Sequence, residues 1–204
     1  VPQFQKILLI LAANKHENKR EELVVQLCKE FGEKCQSMGI DVDWIDLYED
    51  AQKEEFDPIG QLHQKDAKIV EYQFRIKRAD CIVFFHPVRY NSVPAILKGF
   101  IDLVFTKGFA FSAGKTDFEP LLKNKKAIVF AFSENFGWQN KLFYNNTLKI
   151  FWKRGVFELC GIKNEYILLS GLQNFNEKTI QSVTEKVLKT ASKLDSSESW
   201  LDLL

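Results

Sequence analysis

The chain has 204 residues, and 28 Lys and Arg against 27 Asp and Glu leave a formal net charge of +1. With 46% hydrophobic and 27% charged residues, overall disorder is excluded, and the length suits one domain with a core that needs no staples. The even balance gives no basic surplus for nucleic acid, and no apolar run reaches the roughly 18 residues that cross a bilayer.

Cys28, Cys35, Cys81 and Cys160 form no CxxC pair and have no nearby His at metal-ligand spacing. They are expected to be free thiols in a reducing compartment, with no metal bound. The opening Val1-Pro2-Gln3-Phe4 lacks the basic end and apolar centre of a signal peptide. A soluble, cytoplasmic protein is the expectation.

Along the chain, apolar runs alternate with helical patterns. Ile7 to Leu11 is a continuous apolar run, the mark of a strand buried on both faces. After the polar Asn14-Lys15-His16-Glu17-Asn18, the residues Leu23, Val24, Leu27, Phe31 and Cys35 recur at helical steps until Gly39 stops the pattern. Val42, Trp44, Ile45 and Leu47 predict a half-buried strand. An acidic loop with Pro58 leads to a polar helix from about Gln64 to Arg78. Cys81 to Phe85 reads as a second fully buried strand, closed by His86-Pro87. A helix follows over Val93 to Thr106, with Pro94 in its first turn.

Gly108 to Gly114 reads as a loop, Ala127 to Phe132 as a strand, and the aromatic segment Trp138 to Phe157 as partly helical. Tyr166 to Leu169 supplies the fifth strand, Thr179 to Leu194 the last helix, and a polar tail begins near Asp195. The pattern predicts one doubly wound α/β domain, a three-layer sandwich. Its five-stranded parallel sheet takes the order 2-1-3-4-5, with helices on both faces.

Such sheets bind ligands beyond the carboxyl ends of the strands, where the order reverses. That directs attention to the loops after the first and third strands. His16, Asn18, Lys19 and Arg20 stand at a helix start, where unpaired N–H groups and the positive dipole end suit a phosphate monoester. The alternative is a solvated basic first turn. The absence of GxGxxG argues against a dinucleotide fingerprint. Pro87, Val88, Arg89 and Tyr90 form the other loop, where Tyr90 offers an aromatic face to a ring system. Gly108 to Thr116 imitates a phosphate-binding P-loop, but five residues rather than four separate Gly108 from Gly114.

His86-Pro87, Tyr90, the run Ser92-Val93-Pro94-Ala95-Ile96-Leu97-Lys98-Gly99-Phe100-Ile101-Asp102 and Gly108-Phe109-Ala110 together resemble the NAD(P)H:quinone oxidoreductase family of flavodoxin-like proteins. The His16 to Arg20 stretch is most similar to the ancillary flavoproteins of glutathione-gated potassium efflux systems. The resemblance implies an FMN cofactor, with FAD the alternative, and NAD(P)H as co-substrate. It implies a quinone or another flat electron acceptor, reduced by two-electron ping-pong hydride transfer, and a homodimer. The alternative it leaves is an ancillary subunit with little turnover. By the same resemblance, His16, Asn18, Lys19 and Arg20 hold the phosphate, and Pro87, Val88, Arg89 and Tyr90 line the ring.

The family's Thr-Thr-Gly-Gly segment corresponds to Ser133, Glu134, Asn135 and Gly137, with Phe136 between. There Glu134 would set negative charge beside the reduced flavin. Tyr144 and Arg89 are the catalytic candidates. Tyr90 stands for the family Trp, Arg89 for a Gln, and the phosphate loop is about two residues shorter than usual in the family.

Overall fold

A computed structural model describes residues 4–53, 67–114, 118–135 and 146–194. The predicted Gly137 and Tyr144, the start of the polar helix at Gln64 to Asp66, and the polar tail from 195 lie outside them. The elements run β1 (Lys6–Leu11), α1 (Lys19–Ser37), β2 (Asp41–Asp46), α2 (Leu47–Gln52), α3 (Ala67–Arg78), β3 (Cys81–Pro87) and α4 (Ala95–Val104). They continue with β4 (Phe111–Ala113), β5 (Phe118–Pro120), β6 (Lys126–Phe132), α5 (Thr147–Ile150), a π-helical stretch (Phe151–Glu158), β7 (Lys163–Leu169) and α6 (Glu177–Lys193).

The five long strands form one parallel sheet in the order β2-β1-β3-β6-β7, which is the predicted order counted over the sheet strands alone. The three central strands carry the continuous apolar runs because helices cover both of their faces. Ile7, Leu9 and Leu11 pack on the side of α1 and α6; Leu8 and Ile10 pack on the side of α3, α4 and the π-helical stretch. The edge strands β2 and β7 are less buried.

Alternation along β3 puts Ile82, Phe84 and His86 on one face and Cys81, Val83 and Phe85 on the other. All four cysteines are free and buried. Asn18 caps α1 by accepting from the N–H groups of Arg20 and Glu21. Gly39 leaves the helix with φ of +81°, a conformation that glycine adopts without strain.

Three local elements depart from the sequence reading. The supposed loop 108–114 ends in β4, which pairs antiparallel with β5; glycines at its start and end masked three strand residues. Asp46 ends β2 and caps the short α2 by accepting from the N–H groups of Tyr48 and Glu49. The helical end of the aromatic segment is largely π-helical. In an α-helix, neighbours on one face are three or four residues apart. The widened turn instead stacks Trp152 on Phe157, five residues on, with ring centroids 5.2 Å apart and planes at 18°.

α1 crosses the sheet closely at Gly32. A Cβ there would lie 2.6 Å from Trp44 Cζ2 and 3.1 Å from Leu9 Cδ1. The Gly32→Ala variant is expected to be less stable by about 1–3 kcal/mol in urea unfolding, because overpacking outweighs its better helix propensity.

Candidate functional site

The order of strands reverses between β1 and β3, and the loops leaving these strands meet there. Residues 12–18 leave β1, 88–94 leave β3, 133–135 leave β6, and 170–176 leave β7.

The loop after β1 is organised by side chains folding back on it. Asn14 Oδ1 accepts from the His16 N–H at 3.1 Å, and the Asn14 carbonyl accepts from the Glu17 N–H at 2.9 Å. Among the described residues, the N–H groups of Lys15, Asn18 and Lys19 have no protein partner. His16, Asn18 and Lys19 are exposed. These donors and cations at the start of a 19-residue helix are the chemistry a phosphate monoester requires.

The third predicted cation, Arg20, is engaged elsewhere. Its Nε donates to the Leu172 carbonyl at 3.0 Å, and its Nη1 donates to Glu134 Oε1 at 2.8 Å. Glu134 is therefore paired with a cation, where the sequence reading set it as an uncompensated charge.

The loop after β3 is a two-residue hairpin. Arg89 and Ser92 exchange both backbone hydrogen bonds, at 2.9 and 2.8 Å. Tyr90 and Asn91 at its tip have φ of 48° and 59°, the signature of a type I′ turn. Glycine would suit such a tip better than either residue. Tyr90 is fully exposed. Val88 N–H donates to the Phe132 carbonyl at 2.8 Å, fastening this loop to β6.

Ser133 is buried, its N–H donates to the Leu169 carbonyl, and backbone bonds from Gly171, Leu172 and Gln173 reach the carbonyls of Asn135, Ser133 and Glu134. Hydrogen bonds therefore tie the predicted loop residues to the sheet or to one another.

Arg89 reaches across to α1. It donates to the buried Glu21 carboxylate and to Glu17, the latter at 2.5 Å. Glu21 also accepts from the Asn14 N–H at 2.5 Å. Burial pushes the Glu21 carboxyl above its ordinary range, against the Asn14 N–H and Arg89, which pull it down. Glu17 is exposed, and its hydrogen bond from Arg89 holds it below that range.

Beneath the loop, the fully buried His86 donates from Nδ1 to the Pro87 carbonyl at 2.9 Å. Its Nε2 accepts from Trp152 Nε1–H at 3.2 Å, so the ring is neutral with both nitrogens satisfied. The sequence reading missed Glu17, Glu21 and Trp152. A glutamate three residues after an N-cap Asn carries the signature of a capping box, which shows the residue type but not its burial.

The donor set fits the phosphate end of a flavin mononucleotide. The neighbouring crevice is tighter. Between Asn18, Arg20, Glu21, Pro87, Arg89 and Glu134 it holds about 40 Å³, well below the roughly 300–1,000 Å³ of small-molecule sites. Among the described residues, no group of His, Cys, Asp and Glu is arranged to hold a metal, and no helix is long and apolar enough to cross a membrane.

A doubly wound sheet with ligand loops at its switch point defines a flavodoxin-type α/β protein. Residues 5–194 match the family of flavodoxin-like fold, and the chain belongs to it. It is 30% identical over 171 residues to an uncharacterised NAD(P)H oxidoreductase of Haemophilus influenzae, covering 78% of this chain and 82% of that protein. It is 34% identical over 92 residues to an FMN-dependent NADH:quinone oxidoreductase of Coprothermobacter proteolyticus, a match spanning 42% of this chain and 46% of that protein. Among solved structures, Smu.1420 from Streptococcus mutans superposes with a TM-score of 0.75 at 25% identity, over 91% of this chain and 98% of that one. The chain is thus related to NAD(P)H and quinone oxidoreductases of flavodoxin-like fold.

Proposed function

We propose that the protein is an FMN-dependent NAD(P)H oxidoreductase that reduces quinones or similar flat acceptors by two-electron ping-pong hydride transfer. The observation that carries this reading is the ring of unpartnered N–H groups at Lys15, Asn18 and Lys19, set at the switch point of a chain in this family. FMN, when bound, supplies hydride exchange between a nicotinamide and the acceptor.

The chain's own part is to bind and orient. The loop at His16, Asn18, Lys19 and Arg20 holds the phosphate. Pro87, Val88, Arg89 and Tyr90 wall one side of the ring, and Ser133, Glu134 and Asn135 wall the other, with Gly137 assigned to the same segment by its place in the sequence. Because Val88 and Ser133 already give their N–H groups to Phe132 and Leu169, they act as rigid walls rather than donors. Arg89 and Tyr144 are the catalytic candidates of this proposal; Arg89 is held by Glu17 and Glu21, and Tyr144 lies outside the described residues. A homodimer completes the reading, and FAD is the alternative cofactor. The ancillary-subunit alternative rests on the likeness of residues 16–20 by itself, and the named relatives add nothing to it.

The test is reconstitution. Protein mixed with FMN and freed of excess is expected to keep the flavin absorbance and to oxidise NADH or NADPH when a quinone is present. A protein that oxidises neither nucleotide with any quinone offered overturns the reading.

A further inference from the structure

Several features at the switch point converge on one side chain. Glu21 is a charged residue buried at 2% exposure in the first turn of α1. Its carboxylate does not close a capping box, since it leaves the Asn18 N–H without a partner among the described residues. Instead it reaches back seven residues to the Asn14 N–H. That donor belongs to the same short loop as the free N–H groups of Lys15 and Asn18. Arg89 then crosses from the neighbouring loop onto the same carboxylate.

An anion thus already takes one donor of this loop, the Asn14 N–H, with a guanidinium as its counter-ion. The second bridge, Arg20 to Glu134, joins side chains 37% and 60% exposed, and solvent-exposed pairs open at little cost. The Glu21–Arg89 contact is the stronger closure, since a carboxylate held out of water depends on its partners.

We propose that Glu21, latched by Arg89, withholds the Asn14 N–H and the Arg89 guanidinium from the phosphate seat, so that a phosphate monoester gains them only by competing with this carboxylate. The proposal rests on reading residues 14–20 as the seat of a flavin phosphate. It makes Glu21 the positioning residue that sets how tightly the phosphate is held. With the carboxylate in place, the incoming phosphate meets a like charge beside the loop and loses Arg89 as a partner. Without it, both the Asn14 N–H and Arg89 turn to the ligand.

The experiment compares wild type with Glu21→Gln. The amide keeps an acceptor for Asn14 and removes the charge. FMN and riboflavin binding are read by quenching of flavin fluorescence, and inorganic phosphate binding by the rise in melting temperature. Glu21→Gln is expected to bind FMN at least about tenfold tighter and to gain phosphate stabilisation, with riboflavin, which lacks the phosphate, changed less than about twofold. Glu17→Gln, which removes the exposed partner of Arg89 and leaves Glu21 on Asn14 and Arg89, is expected to change FMN binding far less. Should the amide unfold the chain, Glu21→Asp, which withdraws the carboxylate by one methylene, is expected to act in the same direction but more weakly.

Equal FMN affinity in wild type and Glu21→Gln overturns the latch and leaves the flavin reading standing. Tighter phosphate binding in Glu21→Gln without any FMN binding supports the latch and overturns the flavin reading. No binding of either probe by either protein overturns both.

Discussion

Trp152→Ala is expected to lower the unfolding free energy by about 3–5 kcal/mol, measured from the urea midpoint at constant slope. The indole is fully buried. It packs on Phe84 at 4.8 Å, on Phe157 at 5.2 Å and on Phe151 at 5.5 Å between ring centroids. Truncation removes the large ring, and the stiff aromatic neighbours fill the space only in part. It also leaves His86 Nε2 as a buried acceptor with no donor. Trp152→Phe separates the two effects: it keeps most of the packing and loses the N–H, so a cost of about 1–3 kcal/mol is expected from the orphaned acceptor. Domains are stable by only about 5–15 kcal/mol, so the alanine variant loses a large share of such a reserve. If both variants unfold with the wild-type midpoint, the aromatic cluster does not hold the sheet as described.

The second large effect is a loss of stability in acid. Burial lowers the His86 pKa to about 4, against the Pro87 carbonyl, which raises it. In the unfolded chain the ring titrates near 6.5. Between these values the unfolded state binds a proton that the folded state refuses, so stability rises with pH across this window. His86 therefore contributes fully above 6.5, and its contribution is lost as pH falls toward 4. At about 1.4 kcal/mol per pH unit, the loss reaches roughly 3 kcal/mol across the window. His86→Gln retains an acceptor for the Trp152 N–H but does not titrate. The stability difference between wild type and this variant, followed by urea unfolding from pH 7 to pH 4, is expected to slope in this sense. Parallel curves would show that His86 accepts its proton in the folded state.

The parts of the fold that were legible in the sequence are those where one physical requirement acts alone. Ile7 to Leu11, Cys81 to Phe85 and Ala127 to Phe132 are continuous apolar runs because both faces of β1, β3 and β6 are covered, and that requirement fixes the strand type and the centre of the sheet. The apolar steps of α1 are equally local, whereas Asn18 reads as a phosphate ligand and its cap of α1 comes only with the structure. The π-helical stretch was not legible. Its ring stacking is satisfied by contacts with His86 and Phe84 on a strand more than 60 residues earlier. The β4–β5 pair was hidden because strands of three residues carry too little pattern to be told from a loop between glycines.

The candidate site was chosen from topology, and its basic residues from composition at a helix start. Their partners could not be. Arg20 and Arg89 read as free charges for a ligand because the sequence does not show that Glu134, Leu172 and Glu21 lie within reach. Glu21 was missed altogether, since burying a carboxylate depends on an arginine 68 residues away.

The four interior thiols have a practical corollary. Burial raises the pKa of every one, with Cys35 and Cys160 pushed up to about 12. A thiol reacts as its thiolate and only where a reagent can reach it. The folded chain is therefore silent toward maleimides and disulfide exchange, and a single cysteine placed on the outward-facing Tyr90 tip would carry a spectroscopic label at that site alone.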